Sequence, residues 1–142
     1  MILVSGCLVG QACRYDGHAK LSQEVIRFLI DQTYITFCPE VMGGLSIPRE
    51  PAEIQAGLHQ VLSQNGTDVT DAFIKGAERT VSLARRTGCT LVISKEGSPS
   101  CGVHRVYNGS FKGVSIVGSG MTTVKLLEAG FCVISEEEIS NG

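Results

Sequence analysis

Cys101 lies in Ser98-Pro99-Ser100-Cys101-Gly102, directly after Thr90-Leu91-Val92-Ile93-Ser94-Lys95, an apolar, β-branched run that reads as a buried strand. Pro99 fixes one φ angle and Gly102 frees another, so the thiol is held in a tight loop past the strand's carboxyl end, between two hydroxyls. Cys7 follows Ile2-Leu3-Val4-Ser5 in the same way, broken at once by Gly6 and Gly10, and Cys38 follows Tyr34-Ile35-Thr36-Phe37 and precedes Pro39. Three thiols therefore stand at the ends of three separate strands. Thiols so placed suit metal ligation or nucleophilic chemistry better than packing.

The remaining residues must bring these three together. The 142 residues make up one domain's length, 1–142, long enough to hold a core without disulfides. A formal net charge of −2 argues against wrapping a long nucleic acid through its phosphates, while leaving room for a small anionic ligand. Neither a secretory signal nor an apolar run of about 18 residues is present, so we expect a soluble, cytoplasmic protein without a membrane partner. In that compartment six cysteines read as metal ligands, catalytic thiols or buried apolar residues.

Strands alternate with helices along the chain. Ser22 is set as the N-cap of a first helix, with Leu21 and Ile26 as its hydrophobic staple and Leu21, Val25, Phe28 and Leu29 on one apolar face. A long loop runs from Cys38 to Pro51, and residues 52–66 are read as a short helix. The clearest helix starts near Asp68 or Thr70, carries Phe73, Ala77, Val81 and Ala84 inward, and closes with Arg85, Arg86 and Gly88. Extended pieces follow at 106–107 and 114–117, then a helix over about 122–129 stopped by Gly130, and a last strand at 131–134. This pattern predicts an α/β fold: a single domain with a mostly parallel, Rossmann-like sheet flanked by helices. Ligands of such sheets bind outside the carboxyl ends of the strands, where Cys7, Cys38 and Cys101 fall.

No CxxC, zinc-finger histidine pair or ferredoxin run occurs, so a metal site must be assembled from distant segments. Three thiolates without a fourth ligand leave one coordination position open. With zinc that describes a catalytic site; with a 4Fe-4S cluster it describes one open iron, which would favour a sulfur-containing ligand. Cys89 and Cys132, in or beside strands, read as core residues. Cys13 is a possible fourth ligand or a neighbour of the site.

Four segments carry a resemblance: VSGCLVGQACRYDG at 4–17, CPEVMGGLSIPREPAEI at 38–54, NGTDVTDAFIKGAE at 65–78 and SKEGSPSCG at 94–102. In this order the chain resembles the family of small bacterial proteins that includes the thiouracil desulfidases. The resemblance implies a 4Fe-4S cluster held by Cys7, Cys38 and Cys101, whose fourth iron takes the sulfur of a thiolated uracil or its nucleotide. It implies release of uracil and sulfide without net redox change, with Glu40 and Ser98 assisting proton transfer. A carboxylate near the cluster suits deprotonation of an attacking water. Asp16 is a second candidate base, and Lys95 is placed to balance the cluster's charge. Arg14, Tyr15, Arg49 and Ser100 are candidates for holding the substrate; Arg105 and Tyr107 share the same loops, and of the histidines only His104 is close in sequence to a candidate ligand. Gly118-Ser119-Gly120 misses the dinucleotide pattern at position 123 and reads as an ordinary turn. Two other readings stand at this point: a non-catalytic iron-sulfur or zinc redox-sensing module, and a sulfur-inserting enzyme, which would need an activating nucleotide site; no P-loop is visible.

Overall fold

A computed structural model describes residues 1–55 and 60–139. Four short strands, β1 (Ile2–Ser5), β2 (Tyr34–Phe37), β5 (Leu91–Ser94) and β8 (Val133–Ser135), form one sheet in the order β2-β1-β5-β8, parallel at every pairing. Alternation along each strand divides the core between the two faces. Leu3 and Val92 join Val81, Ala84 and Leu126 on one side, while Ile2, Val4 and Ile93 join Val25 and Leu29 on the other. The helices are α1 (Gln23–Leu29), α2 (Pro39–Met42), α3 (Thr70–Arg86) and α4 (Met121–Glu128).

Several local expectations hold. The Ser22 hydroxyl accepts the Val25 N–H at 3.3 Å, and α3 buries Phe73, Ala77, Val81 and Ala84. Arg85 and Arg86 end α3, with Gly88 just beyond at φ 64°. Others need correction. Helix α1 is only two turns long and buries only Val25 and Leu29; Leu21 and Phe28 are exposed. Residues 52–66 hold no helix among the described positions. They form an antiparallel hairpin, β3 (Ala52–Gln55) with β4 (Gln60–Ser63), because burial alternates along Gln60-Val61-Leu62-Ser63 with the period of a strand; His59 and its neighbours at 56–58 lie outside the described residues. The loop after Cys38 begins with α2, whose first residue is Pro39, where a missing N–H costs nothing. Cys132 precedes edge strand β8 and is exposed, whereas Cys89 is half-buried against the core with its thiol on the Leu91 carbonyl at 3.2 Å. A second hairpin, β6 (Arg105–Tyr107) with β7 (Ser115–Val117), pairs the two extended pieces.

Two glycines set the positions that matter for the site. A Cβ on Gly76 would stand 1.9 Å from the Pro39 carbonyl oxygen, so only glycine lets α2 lie flush on α3. One on Gly120 would stand 2.4 Å from the Ser100 carbonyl carbon, so the start of α4 rests directly on the Cys101 loop. There the first amides of α4, which have no partner within the helix, donate to the Pro99 and Ser100 carbonyls at 2.9–3.3 Å.

Glu96, 2% exposed, anchors the other side of this loop. Its Oε1 accepts the backbone N–H groups of Gly97, Val103, His104 and Arg105 at 2.8–3.3 Å. Burial pushes its carboxyl up, but the amides of His104, Arg105, Val103 and Gly97 outweigh that and hold it below the ordinary value. Its stabilising effect is therefore present above the unfolded carboxylate pKa and lost as pH falls through the lower folded one. Glu96→Ala orphans these amides, and we expect a loss of about 3 kcal/mol and a Tm lower by roughly 10 °C, with the difference from wild type shrinking below about pH 4. Thermal melts across pH check both the size and the sign.

Candidate metal centre

The carboxyl edge of the sheet opens on a cavity of about 530 Å3. Cys7 reaches it from the 3-10 turn Gly6–Val9 after β1, Cys38 from the N-cap of α2 after β2, and Cys101 from the loop after β5. Cys13 lines it too, with its carbonyl 3.7 Å from the Cys38 thiol. All four are free thiols, Cys7 and Cys101 buried, Cys13 and Cys38 half-buried.

A carboxylate stands beside them. Glu40, in the first turn of α2, receives Arg49 Nε on Oε1 at 3.1 Å and the Ser100 hydroxyl on Oε2 at 3.0 Å. The Ser98 and Ser100 hydroxyls are 3.0 Å apart. Since the Ser100 proton points to Glu40, the Ser98 proton points to Ser100, giving a directed chain Ser98 to Ser100 to Glu40. Ser98 also accepts the Ser100 and Cys101 N–H groups at 3.1 and 3.0 Å, so it shapes the loop as well. Arg49, its side chain 8% exposed, donates further to the Ser46 and Cys13 carbonyls at 3.0 Å each. One guanidinium thus ties the Glu40 helix to the Cys13 loop, which makes Arg49 a fastener of the site.

The remaining sequence candidates divide. Lys95, Arg14, Tyr15, Arg105 and Tyr107 line the cavity. Lys95 is paired with Glu136 at 3.2 Å and donates to the Glu96 carbonyl at 2.7 Å, and Arg105 is paired with Glu137. That pairing raises the Arg105 guanidinium further and lowers the Glu137 carboxyl. Asp16 is not among the lining residues; it is exposed, accepting the His18 N–H at 3.0 Å with Arg14 4.0 Å away. His104 is likewise exposed and pairs with Glu138 at 3.1 Å. At Gly118-Ser119-Gly120 the Ser119 hydroxyl donates to the Val103 carbonyl at 2.8 Å, an internal turn as expected. Sequence reasoning missed Glu53 and Phe111, which also line the cavity; the Asn108-Gly109 turn was the signal that a loop returns there.

The donor set is soft. Thiols outnumber every other metal-ligating group in the cavity, the chemistry that suits an iron-sulfur cluster. Among the described residues no three His, Cys, Asp or Glu side chains converge as ligands of a single metal ion. Such an ion needs donors about 2.0–2.3 Å from one point, whereas a cluster has ligands on separate irons. Burial first of all pushes the Cys101 thiol up to about 11, and Cys38 is also raised, by its hydrogen bond with Cys13 and by burial. Cys13 is drawn down by Cys38, but the Cys7 thiol and burial outweigh that. In the metal-free protein these thiols carry protons at neutral pH, so taking up a metal group expels them. We expect uptake of a thiolate-bound metal group to release protons and its retention against a chelator to improve as pH rises from about 6.5 to 8.5; potentiometric titration during metal loading measures the release, and pH-independent retention would contradict it.

This is the plan of an α/β protein that gathers thiols around one cavity outside the carboxyl edge of its sheet, a donor set suited to a soft metal group. The chain belongs to the 2-thiouracil desulfurase family, whose model matches residues 2–138. It is 42% identical to the uncharacterized protein YbbK of Bacillus subtilis strain 168, over 99% of both chains. It is also similar to a solved structure, the 4Fe-4S-dependent thiouracil desulfidase TudS, with a TM-score of 0.90 and 45% identity over 97% of this chain and 91% of that one. Among the described residues no helix is long and apolar enough to cross a membrane.

Proposed function

We propose that this chain is a 4Fe-4S-dependent desulfidase that converts a thiolated uracil, as base or nucleotide, and water into the uracil form and sulfide. The observation that carries the reading is the meeting of Cys7, Cys38 and Cys101, from three different strands, in one cavity with Glu40. These three thiols would hold the cluster, with Cys13 alongside. When bound, the cluster supplies a Lewis-acidic iron without a protein ligand, which draws electron density from a thiocarbonyl sulfur.

The chain supplies the proton handling. Glu40 takes a proton from the water that attacks the thiocarbonyl carbon, and Arg49 keeps its carboxylate oriented. The Ser100 hydroxyl donates to Glu40 Oε2 and the Ser98 hydroxyl to Ser100, so the pair steadies the carboxylate in its proton-accepting form, and Glu40 itself returns the proton it takes to the pyrimidine or the departing sulfide. Carbon loses sulfur and gains oxygen at the same oxidation level, so no electron donor enters. Lys95 lends positive charge to the cavity wall, and Arg14 is the cation a nucleotide phosphate would meet. Six free cysteines fit a reducing cytoplasm.

Labelled water tests this. Anaerobic turnover of 2-thiouracil in H2 18O should place one 18O in each uracil formed; uracil without label would overturn the hydrolytic route.

A further inference from the structure

A flat ring that presents its sulfur to the thiols also needs a wall against its face. The tip of the β6–β7 hairpin supplies a residue built for that. Phe111 lines the cavity at φ 58°, a left-handed conformation shared among non-glycine residues only with Asp31, among the described residues. Glycine or asparagine would take that turn with less strain, so the turn itself does not ask for a ring. Strained backbone of this kind persists where the surroundings enforce it, and it clusters at ligand clamps.

The enforcement comes from β3. Glu53 Oε1 accepts the N–H groups of Gly109 and Phe111 at 2.9 and 3.2 Å, and Gln55 Nε2 donates to the Gly109 carbonyl at 3.2 Å. Two hairpins outside the parallel sheet are thereby joined at the cavity, with the aromatic residue at the joint. The other aromatics of the cavity are placed differently: Tyr15 has the Arg14 guanidinium 5.8 Å from its ring centroid, Phe37 is 3% exposed within the core, and Tyr107 lies on β6 itself, 42% exposed, without the buttress from β3 that holds Phe111.

We propose that Phe111 stacks on the pyrimidine ring of the substrate, and that Glu53 is the positioning residue that holds it there. The proposal rests on the desulfidase reading and adds its specificity element: a planar, π-faced heterocycle is favoured over a non-planar thioamide or thiourea of similar size. Stacking of a base on an aromatic side chain is worth about a ten- to hundredfold change in affinity on removal of the ring.

Reconstituted holoenzyme serves for the test. Phe111→Ala should raise both the KM for 2-thiouracil and the Ki of uracil by about tenfold or more, with a smaller change in kcat. Phe111→Tyr should bring both back to within about threefold of wild type, and Glu53→Ala should shift them the same way as Phe111→Ala but less. The sequence contains no tryptophan, so Phe111→Trp installs a single tryptophan, excitable apart from the tyrosines, whose emission uracil should quench saturably. Unchanged KM and Ki in folded, iron-loaded Phe111→Ala would overturn the proposal, and so would Phe111→Trp emission indifferent to saturating uracil; the second measurement decides if Phe111→Ala does not fold. Saturable quenching in a protein that turns over no thiolated uracil would remove the desulfidase reading and leave the ring site standing, whereas turnover without quenching would do the reverse.

Discussion

Serine in place of Cys7, Cys38 or Cys101 is expected to abolish cluster retention and to cut thiouracil turnover by about 10^3-fold or more. Lewis-acid polarisation of the thiocarbonyl is worth several kcal/mol, and each 1.36 kcal/mol is about a factor of ten. The hard hydroxyl of serine is a poor replacement for a thiolate on iron. Serine at Cys89 or Cys132 supplies the contrast: neither residue lines the cavity, and both variants should keep full iron and sulfide content. Iron, acid-labile sulfide and the visible absorption of anaerobically reconstituted protein read the difference. Wild-type iron content in all three of the first set would contradict the ligand assignment.

Glu40→Gln is expected to leave the cluster in place and to lower kcat by about 10^2- to 10^4-fold, the usual range for a lost general base. The amide is nearly isosteric, but its single oxygen keeps only one of the Arg49 and Ser100 hydrogen bonds, so bulk is preserved while basicity and one of these two contacts are lost. Ser100→Ala removes the hydroxyl that donates to Glu40 Oε2; a smaller loss in kcat is expected, with KM little changed. Stopped assays of uracil formation on iron-matched samples separate these cases from cofactor loss. Wild-type kcat in iron-matched Glu40→Gln would remove the carboxylate from the proton path.

What the chain's residues reveal before folding is the part governed by local rules. A strand that ends at a glycine or proline hands its next side chain to the sheet edge, which is why Cys7, Cys38 and Cys101 could be placed together from their neighbours alone. The parallel sheet and α3 were legible for the same reason, periodicity with clear stops. Other features depend on contacts between distant segments. Glu96 looks like one more charged loop residue until Val103, His104 and Arg105 return their amides to it. Glu53 and Phe111 lie 58 positions apart, and nothing local to either indicates their hydrogen bond. Residues 52–66 read as helix in the sequence because Ile54, Leu58, Val61 and Leu62 recur at helical spacing, while the pairing that makes β3 and β4 strands joins residues as far apart as Ala52 and Ser63. Asp16, near Cys13 in sequence, is exposed and not among the residues that line the cavity, because nearness in sequence does not fix which way a loop side chain faces.

Electrostatics follows the same division. Four acidic or basic partners that frame the site, Arg49 with Glu40 and Lys95 with Glu136, are each separated in sequence, yet they leave a cavity whose carboxylate is held in place and whose lysine is anchored at the rim. The result is a rigid frame around a space lined by thiols. Such preorganisation is what lets a hydrolytic step proceed without reorganising the protein at the moment of reaction.

The most direct measurement compares reconstituted and metal-free protein on 2-thiouracil and on 4-thiouridine monophosphate, under anaerobic conditions with no reductant added. The account predicts turnover by the reconstituted protein alone, on at least one of the two, with the uracil form and sulfide produced in equal amounts. Equal activity of the metal-free protein, a requirement for an electron donor, or no turnover of either compound by protein carrying its full iron and sulfide would contradict it.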